Sequence, residues 1–212
     1  MSDLAPPKRT TYRHGDLHHA LIAAGTELAR AGGPDAVVLR EATRRVGVAP
    51  NAAYRHFADR RALLDAVCSA AQSLLAVAIE QELAAVKTAG DAAAVARARL
   101  RAVGTGYVRF AQTEPGLFRT AFSVSRDLAK IGDPARAGAS GLSPFLLLAS
   151  VLDELVDAGA LPKERRPAAE FLAWSSVHGL SMLLIDGPLR ALDKKKAHAI
   201  IERLLDMVEQ GL

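Results

Sequence analysis

Leu17, Leu21, Ala24 and Leu28 recur at intervals of three and four residues, the period of one helix face, and they predict a helix from Asp16 to Ala31 ended by Gly32, Gly33 and Pro34. A second, short helix is expected from Leu39 to Val46, stopping at Gly47. Pro50 stands at the first position of a third, where its missing N–H costs nothing, and that helix is expected to reach about His56. Asp59 is a good N-cap for a long fourth helix, in which Ala62, Leu63, Ala66 and Val67 face inward and the periodicity lasts to about Val86. Further helical patterns cover Ala92 to Ala111, a short segment from Leu117 to Ile131, Pro144 to Ala158, Glu164 or Pro167 to Ile185, and Leu189 to Glu209. Asp133 to Ser143, with Pro134, Gly138 and Gly141, is the most loop-like interior stretch. Alternation is too brief to support a strand, and no internal repeat points to a solenoid. The fold class expected is all-α.

Composition narrows the class. Of the 212 residues 50% are hydrophobic and 24% charged, enough to build one large or two modest cores. No charge-free apolar run approaches the roughly 18 residues of a membrane span, and Met1 to Arg13 lack the apolar segment of a signal peptide. A soluble, cytoplasmic protein with no membrane partner is expected. A lone Cys68 cannot form an intrachain disulfide, which fits a reducing compartment.

Charge is informative once it is divided by position. Residues 1–61 carry 10 Lys/Arg against 6 Asp/Glu, while residues 62–212 balance at 17 against 17. The whole +4 excess therefore sits in the N-terminal part. A basic head on a neutral body suggests polyanion binding, although a surplus this small is also ordinary surface variation.

The stretch from Leu39 to Phe57 joins a short helix, a tight turn at Gly47 and Val48, and a second short helix opened by Pro50. This is a helix-turn-helix, in which glycine tolerates the turn and small residues let the helices cross closely. Its second helix can enter a DNA major groove about 12 Å wide.

Read with Ala58-Asp59-Arg60-Arg61-Ala62-Leu63-Leu64, this segment resembles the TetR/AcrR family of transcriptional regulators. The match spans roughly residues 14 to 64 and is strongest in Tyr54-Arg55-His56-Phe57 with Arg60. Thr43 and Val46 depart from the alanines common in the family's second helix, which predicts a slightly wider helix crossing, with the Thr43 hydroxyl bonded to the preceding turn. The resemblance implies that Asn51 and Ala52 face the groove, with Ala49 and Pro50 beside phosphates or base edges and Arg55 on the same exposed edge. A bidentate side chain at a base edge discriminates by about 1–3 kcal/mol. Tyr54, His56 and Arg60 would grip phosphates, joined by Arg40 and by Arg13 in the arm. Phe57 and Leu63 belong to the core on this reading, and Arg44 and Arg45 face away from DNA.

The implied organisation is a flexible arm at 1–13, a three-helix DNA-binding domain at 14–59, and a helical ligand-binding and dimerisation domain at 60–212. One recognition helix reads too few base pairs, and two-fold dimers solve this by placing two helices about 34–36 Å apart. The last two helices are the candidates for that interface, through Leu180, Leu183 and Leu184 on one and Ile200, Ile201, Leu204, Leu205 and Val208 on the other. A monomer can equally bury these residues internally. Phe171 to Leu180 also resembles the Trp-His-Gly segment of one TetR subgroup, with Val177 in place of the tryptophan before His178 and Trp174 one turn earlier. Tyr107, Phe110, Phe118, Phe122, Phe145, Trp174 and His178 are the candidate walls of a pocket for a small, mostly apolar organic effector, although each aromatic alone reads as core.

The reading is therefore a ligand-released repressor that binds a palindromic operator as a homodimer and needs no cofactor. Two rivals remain. One is an activator, or a regulator without an effector. The other is a helical enzyme or scaffold, but no paired carboxylates, Cys/His nucleophile pair, phosphate-binding glycine loop or metal spacing names a reaction. His14, His18 and His19 are better read as ordinary histidines than as a metal site.

Overall fold

The computed structural model describes residues 14–124 and 128–212. Arg13 and the rest of the arm lie outside the described residues, as does the His14 side chain. Among the described residues there are nine α-helices and no strand. They are α1 (His14–Gly32), α2 (Leu39–Val46), α3 (Pro50–Ala53), α4 (Arg60–Ala85), α5 (Ala92–Thr113), α6 (Pro115–Ala121), α7 (Pro144–Asp157), α8 (Ala169–Ile185) and α9 (Lys194–Gly211).

Capping sets most of these boundaries. Asp59, Asp91, Ser143 and Asp193 each accept a backbone N–H from three residues on, at Ala62, Ala94, Leu146 and Lys196, and so satisfy donors that the first turn leaves without partners. Two expectations are corrected here. The helix expected from Leu189 starts only at Lys194, because Pro188–Ala191 is a 3-10 turn that brings the chain to the Asp193 cap. The helix placed at Glu164 or Pro167 starts at Ala169, after Ala168 adopts a left-handed φ of 64°.

The 26-residue α4 is the spine. It packs on α1 near its start and on α5, α6 and α7 further along, and Leu63, Val67, Ala71, Leu75 and Ile79 are fully buried along it. By length and apolarity α4 alone among the described helices would span a membrane, yet here it is the core helix on which the other elements stack. α1, α2 and α3 pack together with the start of α4, here called the head, and α5 and α7 to α9 are called the body. α6 sits between them, touching α1, α4 and α5.

Candidate DNA interface and effector cavity

In the head, α2 ends at Gly47, whose φ of 77° and ψ of 30° are left-handed, and the Val48 N–H reaches back to the Thr43 carbonyl at 3.0 Å. The buried Thr43 hydroxyl bonds the Arg40 carbonyl at 2.8 Å, as anticipated. Ala49 is extended, Pro50 opens α3, and Ala53 is fully buried beneath it. The second helix is shorter than its sequence suggested. Only Pro50–Ala53 is helical, and residues 54–56 form a turn in which the N–H groups of His56 and Phe57 both bond the Ala53 carbonyl at 2.9 Å. Phe57 causes this, since its buried ring stacks on His18 at 4.9 Å and 18° and draws the chain inward.

That turn leaves one side of α3 in solvent. Arg40, Ala49, Pro50, Asn51, Tyr54 and Arg55 are exposed, whereas Ala52 and His56 are half-buried. Tyr54, for which simple core packing was the competing reading, is 57% exposed. Glu41 takes up the side chains of Arg44 and Arg45, and its hydrogen bonds from Arg44 hold its carboxyl down at about 2. Arg60, expected at the phosphates, is exposed and also makes contacts within the protein. Its Nε donates to the Val37 carbonyl and its Nη2 to the Pro34 carbonyl, both at 2.8 Å, so it ties the start of α4 to the α1–α2 connection.

In the body, a cavity of about 250 Å³ opens between α4, α5, α7, α8 and α9. Tyr107, Phe122, Phe145 and Trp174 line it as expected, but Phe110, Phe118 and His178 do not. Phe110 and Phe118 are core, with Phe118 fully buried and edge-on to Tyr107 at 5.3 Å. His178 stands behind the wall. The Tyr107 hydroxyl accepts the Trp174 indole N–H at 3.0 Å and is hydrogen-bonded to His178 Nδ1 at 2.8 Å. Burial raises the Tyr107 pKa and lowers that of His178, which favours the neutral form of each.

Several lining residues carried no signal in the sequence. Gln72, Arg101, Arg136 and Ser143 bring polar groups to the cavity, and Leu205 and Val208 bring apolar surface. The last two had been expected at a dimer interface. With Leu180, Leu184 and Ile201 they are instead buried within the protomer, because the inward stripe of each helix packs on α5 and on its neighbour. Leu183 and Ile200 are exposed at 43% and 37%, and Leu204 is half-buried. Among the described residues, no group of His, Cys, Asp and Glu is arranged to hold a metal.

Two family models match this arrangement. Residues 21–67 match "Bacterial regulatory proteins, tetR family", and residues 100–208 match "Tetracyclin repressor-like, C-terminal domain". The chain belongs to the TetR family. It is a DNA-binding transcriptional regulator. The likeness extends to solved structures. A protein of unknown function from Rhodococcus sp. RHA1 is 24% identical, with a TM-score of 0.72 over 96% of this chain and 99% of the other. A TetR-family transcriptional regulator from Pectobacterium atrosepticum is 20% identical, with a TM-score of 0.62 over 96% of each chain. A TetR variant from Acinetobacter baumannii AYE in complex with minocycline is 19% identical, with a TM-score of 0.57 over 91% of this chain and 94% of the other. At these identities the likeness concerns the fold. No curated protein matches the chain.

Proposed function

We propose that this TetR-family regulator is a homodimeric repressor in the cytoplasm, released from a palindromic operator when a small, mostly apolar organic effector enters the body cavity. It acts by binding rather than by turnover. Asn51 and Ala52 would read base edges, with Ala49 and Pro50 at the helix start. Arg40, Tyr54, Arg55 and His56 would hold phosphates, with Arg13 of the arm joining them, and Arg60 would brace the head from within.

The observation that carries the release mechanism is the position of Phe122. It follows α6 directly and lines the cavity, while the other end of α6 presses on α1 of the head. The Ala121 carbonyl beside it accepts bonds from Cys68 Sγ at 3.0 Å and Gln72 Nε2 at 2.7 Å, both on α4. A ligand that displaces Phe122 therefore bears on both helices that carry the head. It would shift the equilibrium between head separations to the extent that it prefers one of them.

Dimerisation rests on a second stripe on the last two helices. Leu172, Ser176, Gly179 and Leu183 share one face of α8, and Ile200, Leu204 and Met207 share one face of α9. Leu172 and Met207 are 60% and 56% exposed, and large apolar side chains grouped on adjoining helices mark an interaction face. Two copies of this pair would close a four-helix interface.

The test is binding of the purified protein to genomic fragments at two salt concentrations, followed by footprinting. Sequence-selective binding, weakening steeply with salt, with a two-fold symmetric footprint is expected. Weak binding without sequence preference would defeat the proposal.

A further inference from the structure

The aromatic and aliphatic walls of the cavity are interrupted by Gln72, Arg101, Tyr107, Arg136, Ser143 and Trp174. Most of their polar atoms have partners in the protein. The Trp174 indole N–H goes to the Tyr107 oxygen, and that hydroxyl is bonded to His178 Nδ1. Arg101 donates from Nη2 to Glu202 at 3.0 Å and Asp206 at 2.7 Å, and its Nη1 is closed off from open space. Arg136 is buried and engaged within the protein. The Ser143 Oγ caps α7 by accepting the Leu146 N–H at 3.4 Å.

Gln72 is different. Its Nε2 donates to the Ala121 carbonyl at 2.7 Å, and this fixes which way the amide points, because a carbonyl takes a hydrogen bond from nitrogen and not from oxygen. The amide oxygen, Oε1, is then left without a donor among the described residues, and unlike Arg101 Nη1 it is not closed off from open space. Gln72 lines the cavity, and so does Phe122, the residue next to Ala121. The wall thus presents an uncharged acceptor where α4 is tied to the end of α6. A ligand that covers this oxygen without donating to it strands the acceptor, whereas one that donates gains the bond. Charge on the ligand has no comparable reward. No Asp or Glu lines the cavity to meet a cation, and both arginines are already engaged.

We propose that the effector is a neutral alcohol or phenol, its hydroxyl donating to Gln72 Oε1 and its apolar body against Phe122, Phe145 and Trp174. This rests on reading the cavity as the effector site. Size sets a second limit. At about 30 Å³ per molecule, a cavity of about 250 Å³ has room for roughly eight waters, which suits one aromatic ring or a chain of about six to eight carbons.

Calorimetry on the full-length protein tests this with benzyl alcohol, 2-phenylethanol, 4-methylphenol and 1-hexanol. Each is run beside its methyl ether, which keeps the oxygen but loses the donor, and the set is compared with phenylacetate and hexanoate. At least one hydroxyl compound is expected to bind about tenfold or more tightly than its ether and than either carboxylate, and to weaken operator binding. Gln72→Met removes the preference over the ether, whereas Gln72→Glu, which still offers an acceptor oxygen, retains it. Both variants lose the Nε2 bond to Ala121, so a role for Gln72 confined to tying α4 to α6 would affect them alike. Ether binding that persists in Gln72→Met shows that the cavity is intact. An ether that binds as tightly as its alcohol, or a preference that survives in Gln72→Met, overturns the hydroxyl assignment alone. A carboxylate that binds more tightly than every alcohol overturns the neutral assignment. Alcohol binding that leaves operator affinity unchanged overturns the effector reading alone. If none of these compounds binds, the proposal falls.

Discussion

Gly116, in the first turn of α6, lies so close to Ala29 of α1 that a Cβ on it would stand 2.4 Å from the Ala29 carbonyl oxygen and 2.5 Å from that of Arg30. Backbone meets backbone here, with the Arg30 Nε bonded to the Glu114 carboxylate at 3.0 Å just beside it. On the proposed release mechanism, this contact is where an effector in the cavity would act on the head. Gly116→Ala gains helix propensity, worth about 1 kcal/mol, but forces two carbonyls away, and overpacking of this kind costs about 1–3 kcal/mol. A net loss of stability is expected in thermal melts. Operator binding in the variant should also respond less to any effector that releases the parent protein. A variant as stable as the parent, with undiminished release, would show that α6 and α1 do not communicate through this contact.

Arg60 and Arg55 should separate cleanly, although both are exposed basic residues near the reading edge. Arg60 donates from Nε and Nη2 to the Val37 and Pro34 carbonyls, so Arg60→Met should lower stability by about 1 kcal/mol and change the salt dependence of DNA binding less than Arg55→Ala does. Arg55→Ala should leave the melting temperature alone and reduce the slope of log affinity against log salt by about one. Affinity titrations at several salt concentrations, run beside melts, decide between these patterns. The opposite pattern would return Arg60 to the phosphates.

Leu183 and Ile200 lie on the exposed stripes of α8 and α9, whereas their neighbours Leu184 and Ile201 are buried. If the proposed dimer forms through these stripes, Leu183→Asp is expected to split it without unfolding the protomer, with a cost of about 2–4 kcal/mol for a charge buried at an interface centre. Light scattering should report the monomer mass while circular dichroism stays helical. Operator binding should fall with it, since a single head lacks the second half-site. Leu184→Asp should instead unfold the chain.

That difference also explains what the sequence could and could not disclose. The helix boundaries around Gly47, Pro50 and Asp59 were legible because each depends on local chemistry, namely a left-handed turn, a missing N–H and a capping carboxylate. The α9 stripe was only half legible. Ile200, Leu204 and Met207 recur with the same period as Ala197, Ile201, Leu205 and Val208, and periodicity alone cannot assign one set to the core and the other to a partner. Arg136 and Ser143 were not legible. They sit between prolines and glycines in a loop without period, and only tertiary packing brings them to the cavity wall. The internal bonds of Arg60 were not legible for a related reason, as the carbonyls it bonds lie 23 and 26 residues away.

The bond between His178 and Tyr107 should make stability depend on pH. The Tyr107 hydroxyl is hydrogen-bonded to His178 Nδ1, while its oxygen accepts from Trp174. Protonating His178 would set a second donor against that hydroxyl, and burial already lowers the pKa of the imidazole below its usual 6.5. His18 is lowered as well, first by burial and then by His19 and His56. In the unfolded chain both titrate near 6.5. Below that pH the unfolded state takes up protons that the folded state refuses, so the stability contributed by the neutral rings is complete above 6.5 and is lost as pH falls toward the folded values. The melting temperature should hold from pH 8 to about 7 and drop on acidification toward about 5.5. His178→Gln should lower stability at pH 8, because the Tyr107 hydroxyl loses its partner, yet flatten the acid decline. His18 remains to supply the rest of that slope, so the decline should shrink without vanishing. If His178→Gln loses stability in parallel with the parent at every pH, the imidazole at 178 takes no part in the titration.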